Sequence, residues 1–229
     1  METIVHDLII TIDGPAASGK SSISRQIAQK LGWKWVSTGA FYRAIGLLAL
    51  RKDVNLLNEM DVLSAFEIEN WSIQMDPDNT KVFIDDKDVS DQIYQENVGS
   101  AASTISQHQL IRQAILRSQR DCYQQIEPGQ GLIAEGRDCG SVIFPAAGLK
   151  VFLTADPDQR ALRRAQQEGL DLEQVRLAQK TRDLRDSTRK EAPMLAPEGA
   201  FLLDNSDQSL EQTVLEILNK AKKAFDIKL

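Results

Sequence analysis

Gly14-Pro15-Ala16-Ala17-Ser18-Gly19-Lys20-Ser21 spaces two glycines, a lysine and a hydroxyl as Gly-x-x-x-x-Gly-Lys-Ser/Thr, a set suited to phosphate. Glycines at 14 and 19 let the backbone turn tightly and bring N–H groups onto phosphate oxygens. The unpaired N–H groups of a following helical turn add partial positive charge. Lys20 would reach the β- and γ-phosphates, the Ser21 hydroxyl would ligate magnesium, and Ser22 closes the loop at its exit. An ordinary glycine-rich turn between strand and helix has the same spacing, so context decides. Leu8 to Asp13 is an apolar, β-branched run and an amphipathic pattern begins at about Lys20, the order that a nucleoside triphosphate site requires.

Other charged residues are candidates for the opposite side of such a site. Gly136-Arg137-Asp138-Cys139-Gly140 follows the short buried-type run Gly131 to Glu135, and in open parallel sheets ligands bind at the carboxyl ends of strands. Arg160, Arg163, Arg164, Arg176, Lys180, Arg182, Arg185, Arg189 and Lys190 are interspersed with carboxylates. Two readings are open for them: an ion-paired, solvated helix face, or a closing lid hinged at Gly169 whose arginine forks neutralise a phosphoryl group in transfer and exclude water. Arg43 is likewise either a solvated helix charge or, with Tyr42, a group facing a cleft.

The elements that must position these residues alternate. A helix from about Lys20 carries Ile23, Ile27, Ala28 and Leu31 and stops at Gly32; Trp33 to Val36 is a second strand. Ser37 or Thr38 is expected to cap a helix whose apolar stripe is Phe41, Ala44, Ile45, Leu48 and Ala49. Asn55 to Phe66 is polar with helical tendency. Ile68 to Met75 alternates apolar and polar residues, Asp76-Pro77-Asp78-Asn79 is a turn, and Lys81 to Asp85 resumes as strand. This hairpin marks an insert at 66–98 within a core made of 1–65 and 99–229. One long helical tract is expected from Gln95 to Ile126, with Ile111, Ala114, Ile115 and Leu116 on its buried side. Leu149 to Thr154 is a strand; Asp156-Pro157 opens a helix, Asp171 to Lys190 forms another, and a lid spans about 158–190. Phe201 to Asp204 is the last strand, before a helix carrying Leu210, Val214, Leu215, Ile217 and Leu218.

The 229 residues suffice for one large α/β domain or a domain with a small insert. A net charge of −6 argues against a dedicated nucleic-acid binder. The two cysteines, Cys122 and Cys139, form neither a zinc pattern nor a disulfide framework, which fits a reducing cytoplasm. The N-terminus lacks a basic signal region, and no apolar run approaches the roughly 20 residues that span a bilayer.

The Ile-Thr-Ile-Asp-Gly-Pro lead into the loop, Ser37-Thr38-Gly39-Ala40-Phe41-Tyr42-Arg43, Glu135 to Gly140, and Arg182-Asp183-Leu184-Arg185-Asp186-Ser187-Thr188-Arg189 together resemble the bacterial cytidylate kinases, in order and over nearly the whole chain. The resemblance implies an α/β P-loop kinase fold: a central parallel sheet flanked by helices, a small antiparallel monophosphate-binding insert and an arginine-rich lid. It implies ATP and Mg²⁺ as cofactors, CMP and dCMP as substrates, and action as a monomer without nucleic-acid or membrane partners. It assigns the acceptor phosphate to Arg43, Arg137 and Arg189, the ribose to Arg182 and Asp186, and the cytosine to Ser103, Arg112 and Asp138, with Thr38 also at the substrate. Lys20, Arg137, Arg182 and Arg189 would stabilise the transferring group. The chain departs from the family where glycine often stands at position 17, glycine-threonine at 21–22 and aspartate-serine at 37–38. Alanine at 17 is expected to need a negative φ.

Competing readings are a P-loop kinase for another small acceptor, a GTPase switch and a nucleic-acid-binding module. Against the switch, the chain lacks Asn-Lys-x-Asp, and no glycine has an aspartate three residues before it. The acidic net charge weighs against the last reading.

Overall fold

The computed structural model describes residues 7–67, 70–188 and 192–227. Five parallel strands form the central sheet, in the order β2-β6-β1-β7-β8: β1 (Asp7–Asp13), β2 (Lys34–Ser37), β6 (Leu132–Gly136), β7 (Ala147–Thr154) and β8 (Phe201–Asp204). Central β1 carries Ile9, Ile10 and Ile12, all essentially buried, because a parallel sheet covered by helices on both faces puts both sides of each strand into the core. The sheet ends that matter lie together. Asp13 pairs with Gly136 and with Phe152, so the exits of β1, β6 and β7 open at one edge.

α1 (Lys20–Leu31) follows β1, and Gly32 ends it in the left-handed region. α2 (Gly39–Arg51) follows β2 and is buried on two sides. Phe41, Ile45 and Ala49 join the main core, whereas Ala40, Ala44, Leu47 and Leu48 pack against Val82, Ile84, Val89, Ile93 and Val98. α3 (Glu59–Glu67) precedes a small antiparallel sheet of β3 (Trp71–Met75), β4 (Thr80–Ile84) and β5 (Lys87–Asp88). The expected hairpin is present, with Ile68 and Glu69 outside the described residues. It is tied to edge strand β2 by Trp35 N–H to the Asp76 carbonyl (3.2 Å) and Ser37 N–H to Thr80 Oγ1 (2.9 Å).

The single tract expected from Gln95 to Ile126 is instead two helices, α5 (Glu96–Ile105) and α6 (Gln109–Gln124), after the short α4 (Ser90–Ile93). At the break His108 leaves helical geometry, at ψ 123°, and its ring meets the Leu56 carbonyl at 2.8 Å. The redirected α6 buries Ile111, Ile115, Gln119 and Cys122, leaving Ala114 exposed. A five-residue π-helical turn, Cys139–Ile143, was not foreseen. α7 (Pro157–Glu168) and α8 (Leu172–Thr188) flank Gly169, and α9 (Leu210–Phe225) closes the chain with Leu210 and Leu215 exposed rather than buried. Among the described residues no helix is long and apolar enough to cross a membrane.

Candidate active site

The loop between β1 and α1 curls around its own N–H groups. Gly14, at φ +149°, brings the backbone against the Leu153 carbonyl, where a Cβ would collide, and Gly19 sits at φ +86°. Contrary to the expectation of negative φ, Ala17 also lies in the left-handed region, at φ +57°. Aiming successive N–H groups into one concavity requires such alternation, and loop geometry overrides alanine's preference at a cost of about 1–2 kcal/mol. No side chain caps α1 and its first turn holds no acid, so that helix end presents uncompensated N–H groups.

Lys20 is buried and its Nζ folds back onto the Pro15 carbonyl at 2.5 Å, with Ser18 Oγ at 3.5 Å; Ser18 donates to the same carbonyl at 3.0 Å. Burial pushes the Lys20 ammonium down to about 7, helped by Arg137 and Arg182 and opposed by Glu135 and Asp13. The Ser21 hydroxyl donates to Glu135 Oε1 at 2.8 Å. Glu135 is buried, which raises its carboxyl above the usual range against the pull of Lys20, and its Oε2 has no hydrogen-bond partner among the described residues.

Asp13, also buried, accepts from the N–H groups of Cys139 and Gly140, both at 2.8 Å, and burial lifts it to about 6. This clamp fixes the segment after β6 beside the phosphate loop. Arg137 donates to the Gly14 carbonyl (2.8 Å) and to Asp186 Oδ2 (2.7 Å). Asp138 pairs with Arg112, which also donates to the Ser106 carbonyl at 3.4 Å. Arg43 faces the cleft, its Nη1 on the Ile93 carbonyl (2.7 Å) and its guanidinium 5.4 Å from the Tyr94 ring centre. Burial lowers Arg182 to about 10, the Arg137 charge adding to the effect.

Of these groups Lys20, Ser21, Arg43, Glu135, Arg137, Asp138 and Arg182 share one cleft of about 640 Å³. From the loop and the start of α1, Ala16, Ala17, Gly19, Lys20, Ser21 and Ser22 line it; from the rest of the chain, Thr38, Arg43, Ser103, Arg137, Asp138, Arg182 and Asp186 do. Arg112 stands behind Asp138, while Gly14, Pro15 and Ser18 shape the loop from beneath. Thr38 does not cap α2: it has helical dihedrals, and its hydroxyl donates to the Glu135 carbonyl at 2.8 Å. Arg189 and Lys190 lie outside the described residues. The basic stretch divides between the two readings. Arg176 is the exposed ion pair, with Asp158 and Glu173; Arg160 is buried on the Ala16 carbonyl and Asp183; Arg163, Arg164 and Arg182 line the cleft.

Sequence reasoning did not assign roles to Asp13, Glu135 and Asn205, whose amide donates to the Ser18 carbonyl at 2.9 Å. For the first two a signal existed: each is a carboxylate at the exit of an otherwise apolar strand, beside a motif already singled out.

A family model described as cytidylate kinase matches residues 10–223. A cytidylate kinase of Bdellovibrio bacteriovorus is 50% identical over 215 residues, covering 94% of this chain and 98% of the relative. A cytidylate kinase of Nitrosomonas europaea is 38% identical over 224 residues, covering 94% and 97%. A solved structure of an uncharacterized protein from Eubacterium ventriosum shares the fold, with TM-score 0.52 and 13% identity over 94% of this chain and 98% of that one. The match of the family model over nearly the whole chain, joined by a relative identical at half of its positions, shows that this chain belongs to the cytidylate kinase family.

Proposed function

We propose that the protein transfers the γ-phosphoryl group of ATP to CMP or dCMP, giving ADP and CDP or dCDP, by direct in-line displacement. One observation carries this reading beyond family membership. Lys20, Arg43, Arg137, Arg164 and Arg182 line a single cleft that opens on an uncapped helix N-terminus, and burial, with the neighbouring cations adding to it, lowers the proton affinity of Lys20 and Arg182. Such a cleft suits a triphosphate and a monophosphate brought together. The acceptor needs no general base, because a phosphate monoester is already largely dianionic near neutral pH, its second pKa being about 6. Catalysis is then positioning and charge neutralisation. Lys20, Arg137 and Arg182 would bind the transferring group, Arg43 the acceptor phosphate and Asp186 the ribose, while Asp138 would accept from the exocyclic amine of cytosine. Arg189 is proposed at the phosphates on the resemblance alone.

The residues present suit Mg²⁺, a hard cation that binds few protein oxygens and several from phosphate and water. The Ser21 hydroxyl and Glu135, with its unpartnered Oε2, would hold it, and it would neutralise charge between the β- and γ-phosphates. Residues 66–98 are proposed as the monophosphate-binding insert and 158–190 as the lid. The free, buried thiols Cys122 and Cys139 suit action in a reducing cytoplasm.

The test is ADP release with Mg-ATP against CMP, dCMP, UMP, AMP and GMP. CMP and dCMP are expected to be the good acceptors, and Lys20→Ala is expected to cut turnover by orders of magnitude. Equal turnover of a purine acceptor, or near-normal turnover in that variant, would reject the reading.

A further inference from the structure

Arg185 stands on α8 between Arg182 and Asp186, and its Nη1 donates to Ser103 Oγ at 3.0 Å. Ser103 lies on α5 at the cleft wall, 8% exposed. Around it, Ser106 Oγ donates to the Ser103 carbonyl at 3.0 Å, Arg112 donates to the Ser106 carbonyl, and Arg112 pairs with Asp138. Arg185 therefore reaches from the arginine-rich helix pair into the cluster assigned to the base. Its neighbours on the same helix serve the other end of the acceptor: Arg182 lines the cleft and Asp186 holds Arg137.

A serine hydroxyl turns freely and offers one donor and two lone pairs. A guanidinium donating to one lone pair fixes the oxygen and leaves one proton and one lone pair for a ligand. The contact also acts in reverse, because whatever holds Ser103 Oγ in place keeps Arg185, and with it α8, against the acceptor wall.

We propose that Arg185 is a positioning residue that fixes Ser103 Oγ for the base and thereby makes the seating of α8 depend on which base occupies the cleft. The proposal rests on the reading that Ser103 meets the base of CMP. A base that engages Ser103 keeps the Arg185 contact and sets Arg182 at the transferring group and Asp186 at the ribose. A base that turns the hydroxyl away breaks it, so base identity and helix seating share one coupling free energy.

The experiment is steady-state kinetics with CMP and UMP at saturating Mg-ATP for Ser103→Ala, Arg185→Met, Arg185→Lys and the double variant Ser103→Ala/Arg185→Met. Each of the first two is expected to lower the CMP:UMP ratio of kcat/KM about tenfold, the size of one lost hydrogen bond. The double variant should fall no further, Arg185→Lys should recover part of the ratio, and KM for ATP, read in a second series with ATP varied at saturating CMP, should not move. Arg185→Gln replaces Arg185→Met if that protein does not fold. Additive losses, or an Arg185→Met ratio equal to wild type where Ser103→Ala lowers it, would overturn the role of Arg185 and leave the base reading standing. A wild-type ratio in Ser103→Ala would overturn the base reading, and the proposal with it.

Discussion

Burial, with Arg137 and Arg182 adding to it, pushes the Lys20 ammonium from its ordinary 10.5 down to about 7 in the folded protein. Between these values the unfolded chain holds a proton that the folded protein has released. This group therefore makes stability rise with pH from about 7 to about 10.5, and below pH 7 its full penalty is present. A triphosphate against Lys20 would restore the ammonium. Mg-ATP binding at pH 8 is expected to take up a proton, read by calorimetry in two buffers of different ionisation enthalpy; uptake that persists in Lys20→Met would assign it to another group. Ala17 carries strain of a different kind. Replacing it by glycine removes the left-handed penalty at the cost of extra chain entropy, so Ala17→Gly is expected to gain about 0.5–1 kcal/mol in urea unfolding. A lower midpoint at unchanged m-value would contradict the positive φ.

At the scale of elements, the proposed acceptor side depends on how closely α2 and α5 approach. A Cβ on Gly46 would lie 3.2 Å from the Ala102 nitrogen and 3.3 Å from the Val98 carbonyl, so the two backbones meet where glycine leaves room. Gly46→Val is expected to destabilise the protein by about 1–3 kcal/mol through overpacking. Since α2 carries Arg43 and α5 carries Ser103, the same variant should raise KM for CMP more than KM for ATP. Equal shifts in both constants would show that the helix pair does not set the acceptor side independently. The break between α5 and α6 matters for the same reason. One continuous helix would carry Arg112 onward along the α5 axis, and the turn at Ser106 to His108 brings it to Asp138.

The whole molecule has a net charge of −6 yet gathers cations in one cleft, so its anion affinity is local. A ligand at a hundred times its Kd stabilises the fold by about 2.7 kcal/mol, which for a chain of this size is a rise of several degrees in Tm. CMP is expected to give that rise without ATP, and UMP at the same concentration a smaller one. Asp138→Ala should bring the two nucleotides close together, and an undiminished preference for CMP in that variant would remove Asp138 from base reading.

Local chemistry along the chain determined much of this. The β-branched run before Gly14, the lysine and hydroxyl after Gly19, the helix stop at Gly32, the hairpin turn at Asp76 to Asn79 and the Pro157 helix start each depend on neighbours within a few positions. For that reason strand, loop and helix were legible, and with them the fold class. Which arginine does what was not legible, because Arg160 under the loop, Arg176 in solvent and Arg185 on Ser103 share one composition and one helical spacing. Their roles follow from partners up to 144 positions away, set by how α7 and α8 pack on each other and meet the loop after β1. Tertiary structure likewise turned Glu135 toward Ser21 and buried Asp13 beneath Cys139 and Gly140, where loss of solvent, absent from any local pattern, shifts their proton affinities. Gly14 to Ser21 thus set the phosphate loop from sequence, and the ends of β1 and β6, brought side by side, made it one wall of a cleft.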